Sequence, residues 1–374
     1  MTKSMGRRRH RRIGVLGAVA ALSVYLVVAA VPASAAVLCA VSGVSPNQIM
    51  TVTMNAAADA VTIDVNGANI EFNNTACTPA AATAAVSEII VNADTLAETE
   101  GQTVTIDGTT DFTASITVNT GAGNDVVDAS NTSGVDPITV NLAEGNDDYI
   151  GGGAGGDVTV NGGAGDDTID TGDGNDTVDA GDGANDVNGG AGADALSAGT
   201  GVDILDGEAG RDNISGGGAS DDIDAGEGSD TVAPGAGDDG SEADPVRGGP
   251  GRDTVSYADA AAEVDLDLTD GIALVGATEE DTLESFENVV GSTLGDKIRG
   301  TTDNNDISSG KGADSVRASD GDDDVHGGGG ADTLRGGDGD DDLFGQGGPD
   351  ALFGGGGTDL CNGGKGKDTT SGCE

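Results

Sequence analysis

The chain has 374 residues and a formal net charge of −50, with 66 Asp and Glu residues against 16 Lys and Arg residues. This charge repels nucleic acids and anionic lipids, so the composition excludes a nucleic-acid-binding protein. Aromatic residues make up 2% of the chain and tryptophan is absent, so a large conventional core is not available. Composition alone is typical of a disordered chain, and only a regular pattern can predict a folded one.

The first 35 residues predict a signal peptide. A basic start from Lys3 to Arg12 precedes an apolar run over 13–31, and the small residues 33–35 form a cleavage site. A retained membrane anchor is the alternative, but the cleavage site argues against it, and no membrane span is predicted in the mature chain. Cleavage removes six basic and no acidic residues, which gives the mature chain a net charge of −56. We expect it to be secreted, and extracellular or associated with the cell surface.

Residues 36–118 predict an N-terminal β-rich region. Alternating apolar and polar residues, as in 61–67 and 103–108, indicate strands. Both a small β-sandwich and the first coils of a β-helix fit this pattern.

Residues 119–255 contain a first repeat array, which is regular over 161–241. Written in rows of nine from Asn161, the chain reads NGGAGDDTI, DTGDGNDTV, DAGDGANDV and six further rows without a gap. Position five is Gly in eight of the nine rows, position seven is Asp in eight, and position nine is Ile, Val or Leu in the first eight. Three looser units start at positions 115, 137 and 157, and their longer spacing predicts wider coils that lead into the rows.

A second array with a C-terminal cap spans 290–374, after a β-rich linker over 256–289. The second array again holds nine gapless rows, such as HGGGGADTL and RGGDGDDDL. One isolated unit, RGGPGRDTV, lies before the linker at 247–255. We interpret Phe286 of the linker as a cap on the end of a coil rather than as a binding residue. A phase kept through nine gapless rows in two places predicts a solenoid.

The rows resemble the calcium-binding nonapeptide of RTX proteins, Gly-Gly-x-Gly-x-Asp-x-(large apolar)-x. The resemblance covers about half of the mature chain. It implies an all-β fold, a parallel β-roll or β-helix solenoid in two arrays, in which two nonapeptides form one coil. It also implies multiple Ca²⁺ ions, up to about seven in each array of nine rows.

The residue types agree with this resemblance independently. Glycine in a turn permits positive φ and lets carbonyl groups point toward an ion, and the Asp that follows supplies the hard oxygen that calcium prefers. The apolar residue at position nine should point inward and stack on its copy two rows later, as Ile169 on Val187. Because the ions would lie between turns, calcium binding and folding are expected to be one event.

The predicted calcium ligands share position seven of a row, or the equivalent place in a looser unit. They are Asp125, Asp147, Asp167, Asp176, Asp194, Asp203, Asp212, Asp221, Asp230, Asp239, Asp253, Asp296, Asp314, Asp323, Asp332, Asp341, Asp350, Asp359 and Asp368. Asn185 and Asn305 take this position without a charge and predict weaker sites.

Four cysteines predict two disulfides, because export favours oxidised thiols. Locality pairs Cys39 with Cys77 and Cys361 with Cys373, and the second bond would fold the tail back across the last coil. Zinc is disfavoured because the spacing lacks paired ligands.

The sequence contains no familiar catalytic arrangement. The only histidines are His10, in the signal peptide, and His326, in a repeat, and neither His-Glu-x-x-His nor Gly-x-Ser-x-Gly occurs. We therefore expect a protein that is not an enzyme, acting as a calcium-dependent structural module with cell-surface or matrix polymers as partners. An extracellular calcium buffer stays open as an alternative, as does a polysaccharide-acting enzyme that uses carboxylates alone.

Overall fold

The structure is a computed structural model that describes residues 24–27, 37–44, 47–54, 60–66, 69–72, 75–76, 86–92, 101–108, 115–132, 137–152, 156–235, 244–276 and 279–374. All regular elements in these ranges are β-strands, and they wind into a parallel solenoid of about 13 turns. The described residues contain no helix that is long and apolar enough to cross a membrane.

Most strands before the regular rows of the first array are longer than the strands within those rows. They are β1 (Val24–Val27), β2 (Val37–Val44), β3 (Asn47–Met54), β4 (Ala60–Asn66), β5 (Asn69–Phe72), β6 (Thr75–Ala76), β7 (Val86–Asn92), β8 (Thr103–Gly108), β9 (Ser115–Ala122), β10 (Val126–Thr132), β11 (Ile138–Glu144), β12 (Asp148–Gly152), β13 (Val158–Ala164), β14 (Thr168–Gly172), β15 (Thr177–Asp182), β16 (Asp186–Asn188), β17 (Ala191–Gly192), β18 (Ala195–Ser197), β19 (Ile204–Asp206), β20 (Ala209–Gly210), β21 (Asn213–Ser215), β22 (Asp222–Asp224), β23 (Glu227–Gly228) and β24 (Thr231–Ala233).

The strands of the linker and the second array follow the same scheme. They are β25 (Asp244–Arg247), β26 (Thr254–Ser256), β27 (Val264–Asp267), β28 (Ile272–Val275), β29 (Glu279–Glu284), β30 (Asn288–Val290), β31 (Lys297–Arg299), β32 (Asp306–Ser308), β33 (Lys311–Gly312), β34 (Ser315–Asp320), β35 (Asp324–His326), β36 (Gly329–Gly330), β37 (Thr333–Asp338), β38 (Asp342–Phe344), β39 (Ala351–Gly356), β40 (Leu360–Asn362) and β41 (Thr369–Ser371).

Two long sheets form the walls of the solenoid, because successive rows add a strand to each in turn. Sheet A has 17 strands and runs from β1 through β13, β15 and β18 to β40, while sheet B runs from β6 through β14, β16 and β19 to β41. Partners in the regular arrays lie two rows apart in the sequence, as for Ile169 opposite Val187. This confirms the predicted coil of two nonapeptides.

The core is a single file of apolar side chains between the two sheets. The position-nine residues that face it are at most 3% exposed: Ile169, Val178, Val187, Leu196, Leu205, Ile214, Ile223, Val232, Val255, Val289, Ile298, Ile307, Val316, Val325, Leu334, Leu343 and Leu352. The three-residue strands from β16 to β38 bury their central side chains and leave the neighbours outside, which follows from the alternation of side chains along a strand.

The N-terminal region forms the first coils of the same solenoid. Strands β3, β7, β9 and β11 pair in parallel in sheet A, and β4, β8 and β10 do so in sheet B. Of the two alternatives that the sequence left open, the structure therefore shows the β-helix. The coils over 115–160 are wider, as predicted, since Ile138 pairs with Ile116 and with Val158, which are both further away in sequence than partners in the arrays. Strand β1, inside the predicted signal peptide, pairs antiparallel with β2.

The linker joins the two arrays into one continuous solenoid. In sheet A, β26 pairs with β24 on one side and with β30 on the other. In sheet B, β25 is followed by β29, β28 and β27, which pair antiparallel among themselves before β27 pairs with β31. Phe286 is 4% exposed and lies in the core of the continuous solenoid, so it does not cap the end of a coil as the sequence had predicted.

The last coil ends in the disulfide of Cys361 and Cys373, whose Cα atoms are 5.8 Å apart. Cys361 is partly buried against the core, at the position where the coils before it place leucine. Thr370, which takes this position in the last row, is exposed. The tail thus binds to the edge of the last coil and does not cover its end. The predicted pair of Cys39 and Cys77 lies outside the described side chains.

Candidate metal sites

The position-seven side chains lie in two columns, one at the turn before each strand of sheet A and one before each strand of sheet B. Neighbours in a column are one coil apart. Except for Asp368, which is half-buried, and Asp239, which lies outside the described residues, every predicted ligand is buried, with at most 2% of its surface exposed. Burial of so many carboxylates needs compensation by hydrogen bonds or by cations.

One carboxylate oxygen of each column member binds the coil before it. In the first array, the backbone N–H of Asp176 donates to Oδ1 of Asp194 at 2.7 Å, and the N–H of Asp194 donates to Oδ1 of Asp212 at 2.8 Å. The second array repeats this contact between Asp314 and Asp332 at 3.0 Å. The hydrogen bond fixes the carboxylate relative to the stack, so Oδ1 has a structural role.

The second oxygen, Oδ2, has no hydrogen-bond partner in most column members. Within the described part of the chain this holds for Asp147, Asp167, Asp194, Asp203, Asp212, Asp221, Asp230, Asp253, Asp314, Asp323, Asp332, Asp341, Asp350 and Asp359, whose Oδ2 atoms are all buried. A buried anionic oxygen without a donor is costly, and a repeated set of such oxygens fits a row of cation-binding sites.

The two asparagines in the columns show what surrounds the carboxylate oxygens. Nδ2 of Asn185 donates to the carbonyl oxygen of Gly181 in its own turn at 3.2 Å, and Nδ2 of Asn305 donates to the carbonyl oxygen of Glu287 at 2.7 Å. In Asn185 the amide nitrogen thus takes the place of Oδ2 and finds a backbone acceptor in its own turn, whereas Nδ2 of Asn305 points to the preceding coil, where an aspartate places Oδ1.

In an aspartate row, a Cβ added at Gly207 would lie 2.5 Å from the carbonyl oxygen of Ala225 and 2.9 Å from Oδ2 of Asp212. Oδ2 thus lies close to a turn carbonyl of the next coil, and a cation there would contact both.

The donor set fits calcium rather than a softer metal. Among the described residues no three His, Cys, Asp or Glu side chains come together as a metal cluster. An ion between two turns would therefore be held by carboxylate oxygen and by backbone carbonyls, the hard ligands that calcium accepts in flexible geometry. The position-seven aspartates and the turn carbonyls of successive coils are the groups that would hold it.

Glycine lets the turns stack closely enough for these oxygens to meet. A side chain at Gly162 would place Cβ 2.6 Å from Oδ2 of Asp167, and one at Gly192, with φ +155°, would run into the carbonyl oxygen of Gly174 in the preceding coil. Position two therefore leaves room beside the carboxylate, and position five leaves room for the carbonyl groups that point along the stack.

Burial makes these carboxyls poor acids in the metal-free fold. It raises the pKa of Asp221 to about 8 and those of Asp147 and Asp194 to about 7. Backbone N–H donors lower these pKa values in part, and neighbouring carboxylates in the column raise them further. Protons and cations therefore compete for the same oxygens.

Asp296 differs from the other column members. Its Oδ1 accepts from the N–H of Val264 and from Oγ of Ser292, both at 2.8 Å, and its Oδ2 accepts from the N–H of Ser292 at 2.6 Å. Ser292 thus supplies the donors that a cation would replace, so Asp296 is less suited to be a ligand than its neighbours.

Two features of the columns were missed in the sequence. Glu287 of the linker accepts from the N–H of Asp253 at 2.9 Å and so continues the column between the arrays. Its place two residues before the core residue Val289 was the available signal. At position six, exposed residues form a second ladder, as where the N–H of Asp340 donates to Oδ1 of Asp322 at 2.9 Å. Frequent Asp and Asn at position six was the signal there.

Comparison with known proteins agrees with this geometry. The family described as RTX calcium-binding nonapeptide repeat matches the chain at residues 161–196, 179–214, 197–232, 206–240, 299–334 and 335–370. These segments lie within the two arrays and cover less than half of the chain. The search of curated proteins gives no match. The chain thus carries RTX calcium-binding nonapeptide repeats in both arrays, on a parallel β-roll.

Proposed function

We propose that this chain is a secreted protein whose β-roll folds around calcium ions and serves as a structural module at the cell surface or in a matrix. The observation that carries calcium binding is the buried Oδ2 of successive aspartates, which has no hydrogen-bond donor and lies close to turn carbonyls of the next coil. Secretion is supported by the predicted signal peptide and by the disulfide of Cys361 and Cys373, since such bonds persist in oxidising compartments.

Each position-seven aspartate would have two separate roles. Its Oδ1 accepts a hydrogen bond from the preceding coil and sets the register, and its Oδ2 offers a ligand to an ion between turns. When bound, calcium supplies the positive charge that offsets the repulsion between stacked carboxylates. Because neither column exists in the unfolded chain, the free energy of binding would contribute directly to folding.

Isothermal titration of the mature chain with calcium tests this proposal, with Asp194→Asn as the diagnostic variant. Asp194 is buried and its Oδ2 has no partner, so the variant should bind fewer ions or bind them at least about tenfold more weakly. Asp186→Asn removes the same charge from an exposed strand position and should titrate like the parent chain. Absence of binding at millimolar calcium would refute the proposal.

An extracellular calcium buffer is the second candidate, favoured by the 66 Asp and Glu residues of the chain. A buffer needs no contact with cells or polymers, whereas a surface module does. Retention of the calcium-loaded chain on producing cells after washing, and its release by chelator, would favour the module. Recovery of all of the chain in the medium would favour the buffer.

Catalysis is not part of the proposal. The one histidine among the described residues, His326, lies 3.1 Å from Asp324 and stacks on Phe344 with ring centroids 4.8 Å apart. Its neighbours are thus a strand carboxylate and an aromatic ring. Most of the buried carboxylates lie in the columns, and Asp281, outside them, accepts from the hydroxyl of Tyr257 at 2.6 Å.

A further inference from the structure

The outer face of sheet B carries a stripe of arginines in the second array. Arg299 on β31, Arg317 on β34 and Arg335 on β37 pair in register on adjacent parallel strands. We name these three residues the arginine stripe. Lys297, two residues before Arg299, lies beside it. These four are among only ten Lys and Arg residues beyond the predicted signal peptide, in a chain with 66 acidic residues.

The arginine stripe contributes little to the stability of its own coil. Side chains in register on adjacent strands are about 4.8 Å apart, and like charges at that distance repel. Arg299 forms an ion pair with Asp267 at 3.0 Å, and Arg335 lies over the ring of Phe353 at 5.0 Å. Arg317 has no ion pair with any described carboxylate, and both Arg317 and Arg335 are exposed. The stripe therefore offers unpaired positive charge to a partner.

A complementary stripe lies on the same face of the same sheet, in the first array. On four consecutive strands, β14, β16, β19 and β22, the outward residues that pair in one register are Asp170, Asn188, Asp206 and Asp224. We name the three carboxylates of this column the acidic stripe. Asp170 is exposed, and Asp206 and Asp224 are half-buried. Asp170 and Asp206 form no ion pair with a described basic residue, and Asp224 pairs in register with Arg247, whose ion pair is with Asp222.

Both stripes have the same period because both arrays are built from coils of two nonapeptides. Two copies can face each other through the outer faces of sheet B, related by a two-fold axis that runs parallel to the strands. The solenoid of the second copy then runs in the direction opposite to that of the first. This arrangement brings the arginine stripe of each copy against the acidic stripe of the other, with Asn188 as the one neutral residue in the acidic column. We propose that the calcium-loaded chain associates with a second copy of itself through these two stripes on the outer face of sheet B.

Exposed apolar side chains lie within both stripes. Ile204, which is 51% exposed, lies on β19 two residues before Asp206, and Phe353, which is 39% exposed, continues the register of the arginine stripe on β39. Each could lose water at the contact. Since the contact is flat and mainly ionic, we expect micromolar affinity that weakens with added salt.

A second copy fits these observations better than an acidic polysaccharide does. A polysaccharide would account for the arginine stripe alone and would leave the matched acidic stripe without a role. The second copy accounts for both stripes and for their common period.

Sedimentation velocity of the mature chain at saturating calcium and low salt tests the proposal. We expect a monomer–dimer equilibrium, and we expect the variant Arg317→Glu/Arg335→Glu to raise its dissociation constant at least tenfold. Lys365→Glu/Lys367→Glu makes the same change in net charge outside the stripe and should leave the dissociation constant within about twofold. Circular dichroism of each variant with calcium shows whether the roll has folded, so a failure of the calcium proposal is separate from a failure of association.

Mixing two variants gives the sharpest result. Asp206→Arg/Asp224→Arg should be monomeric alone, as should Arg317→Glu/Arg335→Glu. In a mixture each stripe meets its opposite charge again, so a heterodimer should form. A parent chain that is folded and monomeric at about 100 μM would overturn the proposal, as would variants that do not complement each other. If that monomer binds an acidic polysaccharide through Arg317 and Arg335, the stripe belongs to that partner instead.

Discussion

At the scale of single residues, position seven combines two functions in one carboxylate. Oδ1 of Asp212 accepts from the backbone of Asp194, while its Oδ2 is buried without a partner. Asn185 shows the same arrangement in a neutral form, because its amide donates to the carbonyl of Gly181 and so needs no ion. The chain thus contains both versions of the site, with and without a requirement for a cation.

Restoring the charge at the asparagine should therefore create a stronger site. In Asn185→Asp the donor to the carbonyl of Gly181 is lost, and two acceptors face each other. We expect the variant to bind calcium more tightly or to bind an additional ion, and to be less stable than the parent when calcium is removed. Isothermal titration and thermal unfolding in chelator measure the two effects. An unchanged titration would contradict the site geometry.

At the scale of the coil, glycine is required only at certain turn positions. Gly328 has φ +91° and lies against the carbonyl oxygen of Gly310 in the preceding coil, whereas Gly329 has only the Lys311 side chain nearby, at 3.9 Å from an added Cβ. Gly328→Ala should destabilise the calcium-loaded roll by about 2 kcal/mol or more, through backbone strain and loss of stacking. Gly329→Ala is the matched control and should be neutral. Thermal unfolding in the presence of calcium measures both effects. Equal stability of the two variants would contradict this stacking of Gly328 on the preceding coil.

The wider N-terminal coils differ from the arrays in what joins them. Their strands bury two or three apolar side chains each, as Ile138, Val140 and Leu142 do on β11. An amide ladder adds to this, since Asn161 donates to Asn141 and Asn141 to Asn119, both at 2.7 Å. These contacts do not involve a cation, although the column of predicted ligands also passes through these coils at Asp125 and Asp147.

We therefore expect the N-terminal coils to keep their structure when calcium is removed. In hydrogen exchange of the mature chain in chelator, amides of 115–152 should remain protected while those of 290–374 exchange rapidly. Equal loss of protection in both regions would show that the amide ladder and the larger core do not hold the N-terminal coils together without calcium.

At the scale of the whole molecule, the sequence predicted the coil but not its continuity. The nonapeptide phase predicted the coil of two rows and the inward side chains such as Ile169, because periodicity reports directly on which residues are buried. The linker has no such phase, so the pairing of β26 with both arrays and the role of Glu287 depend on contacts distant in sequence. The hydrogen bond that Ser292 donates to Asp296 likewise could not be predicted from the sequence.

The pKa values of the columns predict how acid acts on the metal-free roll. Burial raises the pKa of Asp221 to about 8 and that of Asp194 to about 7, from an ordinary 3.8. The folded state thus binds more protons than the unfolded chain in this interval, so the free energy of unfolding of the metal-free roll rises as pH falls. Calcium affinity should decrease as the pH falls, since protons then occupy the carboxylate oxygens that would bind the ion.

Circular dichroism of metal-free chain at pH 8 and at pH 5 tests this dependence. Strand content should be higher at pH 5, and more calcium should be needed there to reach saturation. Loss of strand on acidification would show that the column carboxylates are not buried as described.

The central claim is that the arrays fold when calcium enters the columns. Its most direct test is a far-ultraviolet circular dichroism titration of the metal-free mature chain at pH 7.5, with calcium in one series and magnesium in the other. We predict a cooperative gain of strand signal with calcium, reversed by chelator. Magnesium should produce little of it, because it demands a tighter octahedral shell and loses water reluctantly. A full strand spectrum before calcium is added, unchanged by the titration, would contradict the account.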